Sequence, residues 1–163
     1  MKKIVMEDLS SIRCLSAVAY SPDGKTLAYV VHQASLKENS YLSYIWVMED
    51  GVSRKLTNGG AESSFIWLDN ETILFAGDRK NEHKPEPGKA CTVYNRINIH
   101  GGEAEEFFTV PMKCTAIRRI SDEEYLVTGI HDFNAEDITG LEGKEREEAK
   151  ARIEEEKDYE VID

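Results

Sequence analysis

Short stretches of alternating apolar and polar residues run along most of this chain, separated by turns rich in Gly, Pro and Asp. That period of two is the signature of half-buried β-strands. The clearest instance spans residues 19–31. There Ser21-Pro-Asp-Gly-Lys25 separates two apolar runs. Pro22 presets φ at the first central turn position, Asp23 bonds to backbone ahead of it, and Gly24 accepts a positive φ. The second run then places Leu27, Tyr29 and Val31 on one face and Thr26, Ala28 and Val30 on the other. A β-hairpin is predicted here.

The unit returns twice in weaker form. Tyr20-Ser-Pro-Asp-Gly-Lys-Thr-Leu-Ala-Tyr29 is echoed by Trp67-Leu-Asp-Asn-Glu-Thr-Ile-Leu-Phe-Ala76 and by Ile120-Ser-Asp-Glu-Glu-Tyr-Leu-Val-Thr-Gly129. Counted from Thr26 to Thr72 the step is 46 residues, and from Thr72 to Tyr125 it is 53. Four-stranded propeller blades repeat at roughly 40–50 residues, whereas three unrelated hairpins in a sandwich have no reason to keep such a spacing.

The rest of each period agrees. In the first unit strands are predicted over 15–21, 26–33, 42–48 and 53–57, with a polar connector over 34–41 and an Asp50-Gly51 hairpin turn. In the second they fall at 62–68, 72–77, 91–99 and 103–110, with a charged, proline-containing loop over 78–88 and a Gly101-Gly102 turn. A third unit opens with strands at 113–120 and 124–130. It is then interrupted by a run of helix formers, charged on most sides, with only Leu141, Ala149 and Ile153 as an apolar stripe. Glu147 and Lys150, and Glu148 and Arg152, are spaced to pair along that helix. Alternation resumes over 158–163. The expected fold is therefore all-β: an incomplete β-propeller of about two and a half four-stranded blades over residues 1–163. A leader covers 1–12, blade one 13–60, blade two 61–111, and the start of blade three 112–163 with its charged helical insert near 141–157. Two and a half blades leave strand edges open, so the sequence reads as a piece of a longer protein.

Composition narrows the partners. With 163 residues, 40% hydrophobic and 31% charged, the chain is ordinary globular material. A net charge of −11 argues against nucleic acid and against an anionic membrane. Ten acidic and five basic residues fall within 142–163, the solvated face of the helix and its tail. Residues 1–8 lack the apolar core of a signal peptide, and no run reaches transmembrane length. Cys14, Cys91 and Cys114 lack metal-type spacing and read as reduced thiols, so the expected compartment is the cytoplasm.

Candidate chemistry is sparse. His32, His83, His100 and His131 are too dispersed for a metal site; His32 and His131 follow second strands and read as structural. Trp46 and Trp67 suggest an aromatic platform, but Trp67 holds the repeat place of Tyr20 and Ile120 and reads as core. Glu154-Glu155-Glu156 point to different faces of a helix. No Gly-x-Ser-x-Gly elbow occurs. No catalytic, cofactor-binding or metal-ligating residue is assigned, and no cofactor is expected. Connections carry function on propellers, which singles out the loops at 33–41 and 78–89.

The order of these features resembles the N-terminal β-propeller of the prolyl oligopeptidase family, in its acylaminoacyl-peptidase and dipeptidyl-aminopeptidase branch. The matching residues are the leader over 1–9, Ser21-Pro-Asp-Gly-Lys-Thr-Leu-Ala-Tyr29, Ile45-Trp-Val-Met-Glu-Asp-Gly51 followed by Arg54-Lys-Leu-Thr57, and the charged insert before Tyr159-Glu-Val-Ile-Asp163. The resemblance implies a propeller that gates the access of short peptides to a C-terminal α/β-hydrolase domain, itself absent from this chain. It implies an intracellular serine peptidase whose catalytic residues lie elsewhere, this portion being inert alone. The alternative is a non-enzymatic TolB-like propeller that binds proteins or peptides. Isolated, such a piece is expected to self-associate through its open edges.

Overall fold

The computed structural model describes residues 8, 11–77, 90–130, 138 and 140–156. The leader over 1–7, the whole 78–88 loop with His83, His131 and the terminal alternating stretch over 158–163 lie outside the described residues.

Two four-stranded antiparallel meanders and a two-stranded hairpin follow one another along the chain. The first sheet contains β1 (Arg13–Tyr20), β2 (Leu27–Ser35), β3 (Ser40–Glu49) and β4 (Val52–Lys55), hydrogen-bonded in that order. The second contains β5 (Phe65–Trp67), β6 (Thr72–Ala76), β7 (Thr92–Asn98) and β8 (Glu105–Val110), again in chain order. The third pairs β9 (Lys113–Arg119) with β10 (Tyr125–Ile130). A single helix follows among the described residues, α1 (Gly143–Glu156).

Turn chemistry explains the registers. Gly24 donates to the Ser21 carbonyl at 2.8 Å and the Ser21 amide bonds back to Thr26, closing the first hairpin. Asp50 and Gly51 both have positive φ, 50° and 78°, the two-residue turn whose twist matches antiparallel strands. It sets Glu49 opposite Val52. The 34–41 connector differs from expectation. Ala34 pairs with Tyr41 and Ser35 with Ser40, so both strands run through it to a tight tip with Asn39 at φ 47°. Its polarity reflects projection into solvent past the end of β1, which pairs only as far as Gln33. β1 itself is bulged between Ser16 and Ala19, with Ala17 at φ 48°.

The core lies between the two four-stranded sheets. Ala28, Val30, Ile45 and Val47 of the first face Ile73, Phe75, Ile97 and Ile99 of the second, and Leu56, Phe65, Trp67 and Ala104 close the margins. Of the two faces that the period-two reading separates on β2, the one carrying Ala28 and Val30 is the face turned to the core. A second, aromatic seam joins the second sheet to the hairpin: Tyr94 lies 5.0 Å from Phe108, which lies 5.2 Å from Tyr125, with Phe107 edge-on to Tyr125. The three first strands lie at these junctions. Trp67 Nε1 of β5 donates to the Ala19 carbonyl of β1 at 3.3 Å, and Arg119 of β9 donates to the Leu68 carbonyl just after β5. Trp67 is half-buried against the core. Tyr20 and Ile120, its repeat counterparts, are exposed, because in the described structure nothing packs over those positions.

The helix is as polar as its sequence. Lys150 pairs with Glu147 as spaced, and Glu148 pairs with Lys144 at 3.3 Å. Of its thin stripe only Ala149 is buried.

Asp23 makes the first turn sensitive to acid. The Ser21 hydroxyl donates to its carboxylate at 2.7 Å and the Lys25 amide at 3.2 Å, and these bonds hold its pKa below the ordinary carboxylate value. The group contributes stability above the ordinary Asp range, lost as pH falls through its lowered folded value. In an NMR titration Asp23 is expected to protonate below the ordinary aspartate range, and Asp23→Asn is expected to remove that part of the acid-linked loss.

Candidate functional site

A polar chain crosses the first sheet. His32 of β2 pairs opposite Ser43 of β3 and lies next to β1, so its ring meets a hydroxyl on each side. Ser16 Oγ lies 2.6 Å from Nε2 and Ser43 Oγ 2.7 Å from Nδ1. One hydroxyl must donate to the imine nitrogen while the other accepts the ring N–H. A serine beside imidazole is the beginning of a nucleophile, but here a second serine stands where a carboxylate would fix the tautomer and stabilise an imidazolium. The arrangement satisfies the histidine and activates nothing.

A second cluster holds the segment that leaves β4 against the first sheet. Glu62, 2% exposed, accepts from the Gly59 amide at 2.9 Å and the Gly60 amide at 2.8 Å. Ser43 donates to the Gly60 carbonyl and accepts from the Glu62 amide, so the segment leaving β4 is clamped against β3. Nearby, Lys55 Nζ sits 3.2 Å above the centre of the Tyr44 ring. Burial pulls the Lys55 pKa below its ordinary value, opposed by the Glu62 charge. Sequence reading passed over this group; the signal available was a carboxylate placed two and three residues after a Gly-Gly pair.

At the aromatic seam, burial and then a hydrogen bond with the Cys114 thiol push the Tyr94 phenol well above its ordinary pKa. A cleft of about 330 Å³ opens beside the β7–β8 turn, walled by Thr72, Arg96, Asn98, Glu103 and the Gly101-Gly102 backbone. Arg96 is held by Glu105 at 3.2 Å with its guanidinium 5.2 Å from the Phe107 ring, so the cleft's cation is already neutralised. His100 lies nearby, 3.8 Å from Glu71 and exposed. The projecting tip at 33–41 presents Leu36 and Tyr41 to solvent. Trp46, on the face of β3 away from the core, has a buried indole N–H without a hydrogen-bond acceptor among the described residues. Glu155 is exposed on α1.

Among the described residues no three His, Cys, Asp or Glu side chains converge as metal ligands, and no helix is long and apolar enough to cross a membrane. The structure does not bring the described histidines together: His32 lies on β2 of the first sheet and His100 in the β7–β8 turn of the second, while His83 and His131 are outside the described residues.

No family model matches the chain. It is 29% identical over 152 residues to "Uncharacterized peptidase YuxL" of Bacillus subtilis (strain 168). The match takes in 90% of this chain and 22% of that protein, so the chain spans about a fifth of its relative's length. The similarity supports a relation to peptidases.

Proposed function

We propose that this chain is the N-terminal propeller portion of an intracellular serine peptidase of the prolyl oligopeptidase family, acylaminoacyl-peptidase-like, whose blades gate the passage of short peptides to a C-terminal α/β-hydrolase domain. The observation that carries the reading is the similarity along 90% of this chain to a fifth of a much longer peptidase. A segment of that kind, lacking any Gly-x-Ser-x-Gly elbow, belongs to the part of a peptidase that does not hold the nucleophile. The architecture supports it too. Two consecutive four-stranded meanders in chain order, joined near their first strands, are how propeller blades succeed one another around an axis. The Ser16–His32–Ser43 chain is structural in this reading, and the projecting 33–41 tip is the described loop best placed to meet another domain.

The test is to extend the reading frame past codon 163 and purify its full product. Expected are a Gly-x-Ser-x-Gly elbow followed by Asp and His, cleavage of short N-acylated peptides, covalent labelling by a fluorophosphonate, and loss of both on replacing the elbow serine by alanine. A frame that adds only blades, or a full product that neither cleaves nor labels, would leave a TolB-like binding propeller and remove the enzyme.

A further inference from the structure

We infer that Asn58 is a latent modification site, whose side chain cyclises onto the Gly59 nitrogen with loss of ammonia, and that the Glu62 carboxylate guards it. Nothing in this depends on the peptidase reading.

Asn58-Gly59 is the one Asn-Gly pair in the sequence. Asparagine is a heat-labile residue, and a following glycine makes it most so, because no Cβ hinders the approach of its nitrogen to the side-chain amide. The clamp itself demands that glycine. A Cβ at residue 59 would stand 2.3 Å from Glu62 Oε1 and 3.1 Å from Cδ. Asn58 is exposed, so water reaches the site of reaction.

In the first step the Gly59 nitrogen gives up its proton and attacks Asn58 Cγ. A C–N bond forms, the Cγ–Nδ2 bond breaks, and Nδ2 leaves as ammonia with the proton, which leaves a succinimide. Water then opens that ring at either carbonyl, to aspartate or to isoaspartate. Either product adds a carboxylate on the connection from β4 to β5.

The proton that must leave is the one the Gly59 amide donates to Glu62 Oε1 at 2.9 Å. Removing it would raise negative charge on nitrogen beside a carboxylate, and like charges in contact repel. The backbone is held as well. Gly60 donates to Glu62 Oε2 at 2.8 Å, while Ser43 donates to the Gly60 carbonyl and accepts from the Glu62 amide. Gly59 reaches Asn58 Cγ only when this short segment opens. The carboxylate that requires the labile pair thus also protects it.

Peptide mapping of the full chain, incubated warm at mildly alkaline pH, follows ammonia loss at Asn58. Expected is a rate at least about tenfold slower in the folded wild type than in the same chain in urea. Glu62→Ala should restore most of that difference without urea, and Glu62→Gln, which keeps one acceptor oxygen, should fall between. Ile97→Val loosens the core away from the clamp and should leave the rate near that of the wild type. A folded wild type that reacts as fast as the chain in urea, or faster, would overturn the inference, as would a Glu62→Ala rate equal to the wild type. Equal acceleration in Ile97→Val and Glu62→Ala would overturn it in favour of protection by the fold at large.

Discussion

Phe75→Ala is expected to lower the stability of the chain by about 3–5 kcal/mol, read as a fall in the urea midpoint at unchanged slope. Phe75 is 1% exposed and stands where the two four-stranded sheets meet, among Val30, Ile45 and Val47 on one side and Ile73 and Ile97 on the other. Removing the ring leaves a void that two facing sheets cannot collapse into, because their separation is held by side chains on both sides. The informative control is Tyr20→Ala. Tyr20 is as bulky and begins the corresponding repeat unit, yet it is 63% exposed, so its loss should fall within about 0.5 kcal/mol. If the two substitutions cost the same, the inter-sheet core is misplaced.

Glu62→Ala is expected to cost about 1–3 kcal/mol, since it strands the buried Gly60 amide and removes the acceptor of the Gly59 amide, which water can reach. Glu62→Gln keeps one acceptor oxygen and should lose less. Gly59→Ala tests the same clamp from the opposite side: a Cβ there would stand 2.3 Å from Glu62 Oε1. The carboxylate must then leave the Gly59 amide, so Gly59→Ala and Glu62→Ala are expected to be far from additive in a double-mutant cycle. Additive losses would show that the clamp does not act as a unit.

How far such features could be read beforehand depends on whether their cause is local. Pro22-Asp-Gly24 and Asp50-Gly51 dictate backbone conformation within four residues, and both hairpins form where their turns require. Alternation in β2 likewise put Ala28 and Val30 together on one face, since a strand's two faces are set by its own geometry, but which face turns inward is decided by the facing sheet. The projection at 34–41 escaped notice because polar residues mark a solvent-exposed strand as readily as a loop. The Glu62 clamp and the Arg96–Glu105 cleft escaped for a different reason. Their partners come together only after sheets have paired, and a glutamate among thirty-one acidic residues announces nothing by itself. Tyr20, Trp67 and Ile120 show the limit from the other side: one repeat place, three surroundings, and only Trp67 with a carbonyl in reach of its side chain and core against its ring.

The turns of successive sheets also touch, through the Asp23 amide, which donates to Asn70 Oδ1 at 3.0 Å. With Tyr20 laid on Trp67, these two residues occupy the same place in neighbouring units. A perfect copy would put aspartate at both and set a second carboxylate beside one already engaged by Ser21 and Lys25. The amide accepts the bond without the charge. What looks like decay of the repeat at Asn70 is then an adaptation of each copy to the one before it, and the units of this chain are not interchangeable: a transplanted turn would meet its own likeness, and repel it.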